Sequence, residues 1–264
     1  MNDRSDTWLF LFAHPDDEFA VFAEIERGVA RGKRIVVTYL TCSTQGKSVQ
    51  KRRERESRRV LQAFGVRQED IHFLGVELAI PDGDLHRHCR RAQDELDQML
   101  KAIGSPDRIY FPAWEGGHQD HDSVHAIGFA LGRRLGRLDS ARQFPLYNGY
   151  RLRFGLFRML QPLPENGPVE LRNIPVRRRL FHLGQCLRYP SQWKSWIGLF
   201  PMVLLAYLLR PGQRFQSVSP QRLLQRPHHG GLLYEERGFC SWQEFEQATR
   251  DFREEIAALV PQSH

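Results

Sequence analysis

The chain of 264 residues has only four cysteines, Cys42, Cys89, Cys186 and Cys240, and no C-x-x-C pair. That spacing excludes a disulfide framework and a cysteine-built zinc knuckle, and it fits a reducing compartment. Lysine is nearly as scarce. It supplies five of the 38 basic residues, so arginine carries almost all the charge behind a net +7. Guanidinium groups suit planar, paired contacts with phosphate and carboxylate, which points to an anionic substrate or partner. The plainer reading is a solvated basic surface. No apolar run reaches the roughly 20 residues that a spanning helix needs. The first residues lack the apolar stretch of a secretory signal, so a cytoplasmic protein is expected. There is no internal repeat or low-complexity tract, and 41% hydrophobic with 26% charged residues is ordinary for a globular chain.

What the chain does have is alternation. Residues 8–13 form a short apolar run suited to a buried strand, and 19–30 carry apolar positions at helical spacing. Residues 34–40 are β-branched and strand-like, and 48–64 read as a charged surface helix ending at Gly65. Segments 71–74, 90–103, 108–111 and 121–135 continue the strand and helix alternation. Repeated β-α units imply an α/β fold with a mostly parallel sheet between two helical layers, a Rossmann-like three-layer sandwich. Beyond about residue 150 the pattern weakens. Residues 1–150 therefore read as a catalytic domain, and 151–264 as an extension that completes the fold and the substrate cleft. Within it, residues 193–209 are strongly apolar and interrupted by Pro201, which reads either as a packed helix pair or as an element lying in a membrane interface. Residues 242–259 read as a closing amphipathic helix.

Two polar clusters fall just after expected strands, where open α/β sheets bind ligands. One is His14-Pro15-Asp16-Asp17-Glu18; the other is His118-Gln119-Asp120-His121. Each alone fits a helix start, since Asp there accepts backbone N–H bonds. Together they supply two imidazoles and a carboxylate, the set by which hydrolytic zinc keeps one position open for water. Adjacent Asp16 and Asp17 allow one to bind metal and the other to accept a proton. His125, one helical turn past His121, is a candidate either for the same cleft or for the core. His228 and His229 read as substrate-side or simply exposed. Glu115-Gly116-Gly117 reads as a flexible approach to the metal.

Phe12-Ala13-His14-Pro15-Asp16-Asp17-Glu18 followed by His118-Gln119-Asp120-His121 resembles the PIG-L/LmbE family of zinc-dependent N-deacetylases. That family pairs A-H-P-D-D-E with H-x-D-H about a hundred residues later, and Gln119 stands where Pro is commoner. Arg53-x-x-Glu56 with Phe64-Gly65 is similar to its R-x-x-E…L-G helix, and Pro81-Asp82-Gly83 resembles its P-D-G loop. The resemblance covers about residues 7–150. It implies that His14, Asp17 and His121 bind the metal and that Asp16 is the general base. His118 would stabilise the oxyanion or protonate the leaving amine, and Asp120 would orient a histidine. Glu18 would be structural. Arg53 and Asp82 are the candidate substrate contacts.

The expectation is a zinc-dependent hydrolase that removes an N-acetyl group from an N-acetylglucosamine-type glycoconjugate, free or lipid-linked. Fe(II) could occupy the same ligands. Two rivals stand beside it: an amidase cleaving a thiol-sugar conjugate or another small amide, and a basic module that binds membrane or nucleic acid. No RNA- or DNA-binding motif accompanies the charge, so no nucleic-acid partner is expected. Peripheral contact with an anionic membrane fits the 193–209 segment and the arginines around it.

Overall fold

The computed structural model describes residues 6–210 and 212–258, with the side chains of 194–197 and 257 outside that description. Its first half is built from β1 (Thr7–Phe12), α1 (Phe22–Ala30), β2 (Arg34–Tyr39), α2 (Lys47–Ala63), β3 (Ile71–His72), α3 (Leu74–Glu77), α4 (Cys89–Ile103), β4 (Arg108–Pro112) and α5 (Gln119–Arg134). It continues with β5 (Arg142–Phe144), β6 (Tyr147–Asn148), β7 (Arg158–Met159), β8 (Val169–Asn173), α6 (Val176–Cys186) and α7 (Trp193–Leu209). It closes with β9 (Gly212–Gln216), α8 (Pro220–Leu223), α9 (Leu233–Glu236) and α10 (Trp242–Ala258).

The main sheet runs β3-β2-β1-β4-β5-β9-β8. The first five strands are parallel, while β9 pairs antiparallel with both β5 and β8. The order reverses direction between β1 and β4, and the crevice beyond their carboxyl ends is where such a sheet holds a ligand. Both polar clusters follow these two strands.

Alternation along β1 creates the two halves of the core. Trp8, Phe10 and Phe12 join Tyr39, Tyr110 and residues of α1, α2, α6 and α7 on one face. Leu9 and Leu11 join Val36, Ile109, Phe111 and residues of α4, α5 and α10 on the other. Every β1 residue is buried, as expected for a central parallel strand. Each large apolar side chain there contributes about 2 kcal/mol of transfer free energy.

Three local expectations change. Residues 19–30 do not form one helix; a 3-10 turn (Asp17–Val21) precedes α1, because the acidic loop must turn sharply before the helix can begin. Only Ile71–His72 of the third strand pairs with β2, and Leu74 already starts α3. The break expected at Pro201 does not occur: α7 is one helix that runs through it. Proline removes a single backbone donor, and this one lies on the exposed side of α7. No helix among the described residues is long and apolar enough to cross a membrane. Leu259, the expected end of the last helix, lies outside the described residues.

Candidate metal centre and its cleft

The loop after β1 folds around its own carboxylate. Asp17 Oδ2 accepts the N–H of Ala13 at 3.1 Å and of His14 at 2.8 Å. This fixes the side chain and turns Oδ1 toward His121 Nε2, 3.1 Å away. His121 arrives from the first turn of α5, whose N-cap is His118; the His118 Nδ1 accepts the Asp120 N–H at 3.2 Å. His14, Asp17 and His121 thus offer ligand atoms within 4.8 Å of one another. His121 is buried and its Nδ1 has no hydrogen-bond partner. Two imidazoles and a carboxylate so arranged fit a divalent metal, with zinc or Fe(II) suited to that donor set.

Asp16 occupies the left-handed region at φ 115, a conformation that costs a non-glycine residue about 1–3 kcal/mol. Its N–H donates to Glu18 Oε2 at 2.8 Å, and Tyr189 O–H donates to the other oxygen, Oε1, at 2.7 Å. Gln192 Nε2 donates to the Pro15 carbonyl at 2.9 Å, and the Tyr207 hydroxyl donates to that of Phe19. The strained turn is therefore held by residues from the C-terminal part of the chain. Burial, then the neighbouring charges of Asp17 and Glu18, raise the Asp16 pKa well above the usual carboxylate range.

Asp120 ties the second cluster to the P-D-G loop. Its carboxylate accepts Gly83 N–H at 2.6 Å and Leu85 N–H at 3.0 Å, and Oδ2 lies 3.1 Å from His14 Nε2. Asp82 Oδ1 lies equally close to that nitrogen, while its Oδ2 is 3.8 Å from Arg53 Nη1. His14, Asp82, His118 and Asp120 form a second convergent group that shares His14 with the first. Burial alone would lower the His14 pKa, but Asp82, Asp120 and Asp17 outweigh it and hold the pKa well above its ordinary value. Burial pushes Asp82 up, yet His14, His118 and Arg53 together hold it below the usual range. His118 is the opposite case: burial, helped by His14 and His121 and only partly offset by Asp120, lowers its pKa to about 4.

Part of this set lines a cleft of about 770 Å³, though His121 and Asp120 are not among its lining. One side is polar, with His14, Asp16, Asp17, Arg53, Asp82 and His118. The other is apolar, with Phe19, Phe157, Leu199, Val203 and Phe239. Arg53 is mostly buried yet lines the cleft, with Nη1 3.8 Å from Asp82 Oδ2, while its Nε is enclosed and has no hydrogen-bond partner. Glu56, one turn further along α2, is not among the cleft lining and accepts the Ser191 N–H at 3.1 Å.

Other sequence-derived candidates lie elsewhere. His125 donates from Nδ1 to the Pro112 carbonyl and packs against Phe111 and Trp114, so it belongs to the core and not the cleft. His228 is buried with its Nδ1 at the His229 carbonyl, and neither lines the cleft. Glu115-Gly116-Gly117 is not a flexible approach. All three are buried, and a Cβ on Gly117 would meet the Tyr147 carbonyl oxygen at 1.8 Å. The glycine is there so that two backbone segments can touch.

Sequence reasoning missed several residues. Tyr147 stands edge-on to His121 with ring centroids 5.3 Å apart and lines the cleft. Arg237 lines it from the far end of the chain. Asp122 accepts the N–H groups of Glu115 and Gly116 and braces the approach to His118. Asp122 sits one place beyond the H-x-D-H run, which is the only signal that could have marked it.

A doubly wound sheet with an acidic, histidine-rich cluster at its switch point defines a class of α/β enzymes that act on ligands beyond the strand ends. Residues 9–131, 123 of the 264, match the family described as PIG-L, GlcNAc-PI de-N-acetylase. Among curated proteins, none matches. Solved structures that share the fold include a deacetylase of teicoplanin biosynthesis, 14% identical with a TM-score of 0.62, covering 81% of this chain and 98% of that one. The A40926 pseudoaglycone deacetylase Dbv21 is 16% identical with a TM-score of 0.59, covering 86% and 100%. The N,N'-diacetylchitobiose deacetylase from Pyrococcus horikoshii is 16% identical with a TM-score of 0.55, covering 81% and 84%.

Proposed function

We propose that this chain is a metal-dependent N-deacetylase that hydrolyses the acetamide of an N-acetylglucosamine-type amino sugar to acetate and a free amine. The observation that carries the reading is the convergence of His14, Asp17 and His121 within 4.8 Å, with Asp16 beside them on the cleft wall. The family's named reaction and the similar structures, a deacetylase of teicoplanin biosynthesis and an N,N'-diacetylchitobiose deacetylase, support the same substrate class.

In this reading His14, Asp17 and His121 hold zinc, or Fe(II). When bound, the ion supplies Lewis acidity at the amide carbonyl and the attacking water. The protein's residues do the rest. The Asp16 carboxylate accepts a proton from the water as its oxygen bonds to the carbonyl carbon. His118 is poised as a neutral donor. Its Nδ1 accepts a backbone N–H, so the ring proton resides on Nε2 and can meet the carbonyl oxygen as it gains charge. When the C–N bond breaks, the proton held by Asp16 passes to the departing nitrogen. The raised proton affinity of Asp16 suits a group that takes a proton in one step and returns it in the next. Asp120 keeps His14 and the P-D-G loop in register. Arg53, on the cleft wall, offers its guanidinium charge to the sugar or to an anionic group attached to it.

The test is acetate release by metal-loaded protein from free, nucleotide-linked and lipid-linked N-acetylglucosamine. Release from at least one, abolished by a chelator and restored by zinc or Fe(II), is the expected result. Cleavage of a thiol-sugar amide without release from any N-acetylated sugar would replace this reading with the amidase.

A further inference from the structure

Helix α7 has the wrong outer surface for water. Val203, Ala206 and Tyr207 point inward and are buried, as one face of a packed helix should be. The opposite face should carry charge, but it carries Met202, Leu204, Leu205, Leu208 and Leu209. Leu205 is 49% exposed, Leu208 51% and Leu209 72%. The neighbouring α6 continues the same character, with Val176 and Leu180 exposed one turn apart and Leu187 exposed just past its end. Arg179 of α6 donates to the carbonyls of Tyr207 and Leu208, which fixes the two helices side by side. A contiguous apolar surface of this kind marks an interaction site.

Two grooves flank α7. One, lined by Leu187, Tyr189, Trp193, Phe200 and Pro201, opens between the end of α6 and the start of α7. The other is lined by Leu152, Phe157, Met202, Leu205 and Leu209, with Arg158 and Arg210 at its edge. Phe157 also lines the catalytic cleft, whose apolar wall is completed by Leu199 and Val203 of α7 itself. The cleft and the second groove therefore share a wall. Beside Leu152, the loop at 151–155 projects Phe154, 93% exposed and in the left-handed region.

The charge around this surface selects its occupant. Arg158 and Arg210 line the second groove, exposed Arg151 and Arg153 flank Phe154 in sequence, and exposed Arg177 and Arg188 lie on α6 and just beyond it. Neither groove is lined by an acidic residue, and Glu26 reaches this side in pairs with Arg178 and His182. A second copy of this chain would bring like charges together across a symmetric contact. An anionic bilayer has the complementary charge, and it accepts leucine and phenylalanine side chains at the depth of the headgroup boundary.

We infer that α7, with the exposed stripe of α6 and Phe154, docks in the plane of an anionic lipid surface, so that the catalytic cleft opens along that surface. The helix lies in the interface and does not cross it. The docking stands on this surface alone. Its use rests on the deacetylase reading: an N-acetylated sugar on a lipid anchor would reach the metal centre along the Phe157 wall without leaving the membrane.

The experiment is co-sedimentation of the full chain with phosphatidylcholine vesicles, with and without phosphatidylserine, at low and high salt. Wild type is expected to pellet with the anionic vesicles and to be released by salt, because surface charges are screened. A Leu205→Ser, Leu208→Ser variant should bind at least about tenfold more weakly, since it removes two side chains' worth of apolar burial. Phe154→Ser, on a separate element, should weaken binding as well and guards against a misfolded double variant. All three substitutions are at exposed positions outside the catalytic cleft, so acetate release from a water-soluble N-acetylated sugar should be unchanged. Wild type that stays in the supernatant with anionic vesicles overturns the docking. So does salt-insensitive binding that neither variant weakens, or a concentration-dependent dimer lost in the double variant. Vesicle binding without acetate release from any sugar would sink the deacetylase reading and leave the docking in place.

Discussion

Tyr189 and Glu18 stand 171 residues apart in sequence and share one hydrogen bond of 2.7 Å inside the core. The other oxygen of that carboxylate accepts the N–H of Asp16, so a phenol in the last third of the chain sets the backbone of the proposed base. Burial raises the Glu18 pKa, and the bonds from Tyr189 and from Asp16 N–H offset only part of that rise.

Tyr189→Phe removes the donor and leaves a buried carboxylate less satisfied. The expected cost is about 1–3 kcal/mol of stability. Because the strained turn loosens while the ligands stay, kcat should fall with the metal content unchanged. Denaturant unfolding and metal analysis of the same sample check both parts. Lost metal with normal residual turnover per bound ion would show that Tyr189 supports the ligands and not the base.

Metal binding separates the two convergent groups. His14→Ala, Asp17→Ala and His121→Ala should each lose the bound ion, while Asp82→Asn should keep it. Elemental analysis after dialysis against zinc provides the reading. Loss in Asp82→Asn with retention in His121→Ala would assign the ion to the group of His14, Asp82, His118 and Asp120.

Asp16 combines chemistry with strain, so two substitutions should part company. Asp16→Asn should keep the metal and lose activity by roughly a hundredfold or more, the usual worth of a positioned general base. Asp16→Gly should be equally inactive yet more stable than Asp16→Asn, since glycine adopts φ 115 freely. Thermal melts of the two variants decide. A glycine variant no more stable than the asparagine one would mean the turn carries no strain.

Glu115 gives the protein a pH dependence of known sign. Burial raises its pKa from 4.5 to about 7, against the opposing bonds from Asn148, Leu146 and Tyr147. An acid whose folded pKa is raised holds its proton longer in the folded state than in the unfolded one. Stability is therefore unaffected below about pH 4.5 and declines as pH rises from there to about 7. The whole effect is about 3 kcal/mol, at 1.36 kcal/mol per pKa unit. In Glu115→Gln that decline should shrink, which denaturant titrations across this range will show. An unchanged slope would mean that other groups, Asp122 among them, dominate the range.

Much of this was legible in the sequence. The apolar run of β1, the β-branched β2 and the helix read at 121–135, which the structure places at Gln119–Arg134, set a doubly wound sheet, and both polar clusters fall at its switch point. The two motifs place His14, Asp17 and His121 in one candidate set, and the fold brings their ligand atoms within 4.8 Å of one another. What was not legible depends on partners far along the chain. No spacing rule links Pro15 to Gln192 or Phe19 to Tyr207, because such contacts exist only once the C-terminal helices have packed. Gly117 read as flexible because its reason, the carbonyl of Tyr147, lies on another segment. Pro201 read as a helix break because local propensity says so, whereas packing on the first half of the chain keeps α7 whole.

The clamps on the acidic turn have a consequence for how the protein comes to be active. Tyr189, Gln192 and Tyr207, which hold the turn of residues 13–19, are synthesised 171, 177 and 188 residues behind their partners. Contacts of such long sequence separation form late, after the cost of closing very large loops has been met. A chain still attached to the ribosome with only its first half exposed already carries every proposed ligand, yet it lacks the means to hold Asp16 in place. Hydrolytic competence should thus appear abruptly at the end of folding and not in proportion to the sheet already formed.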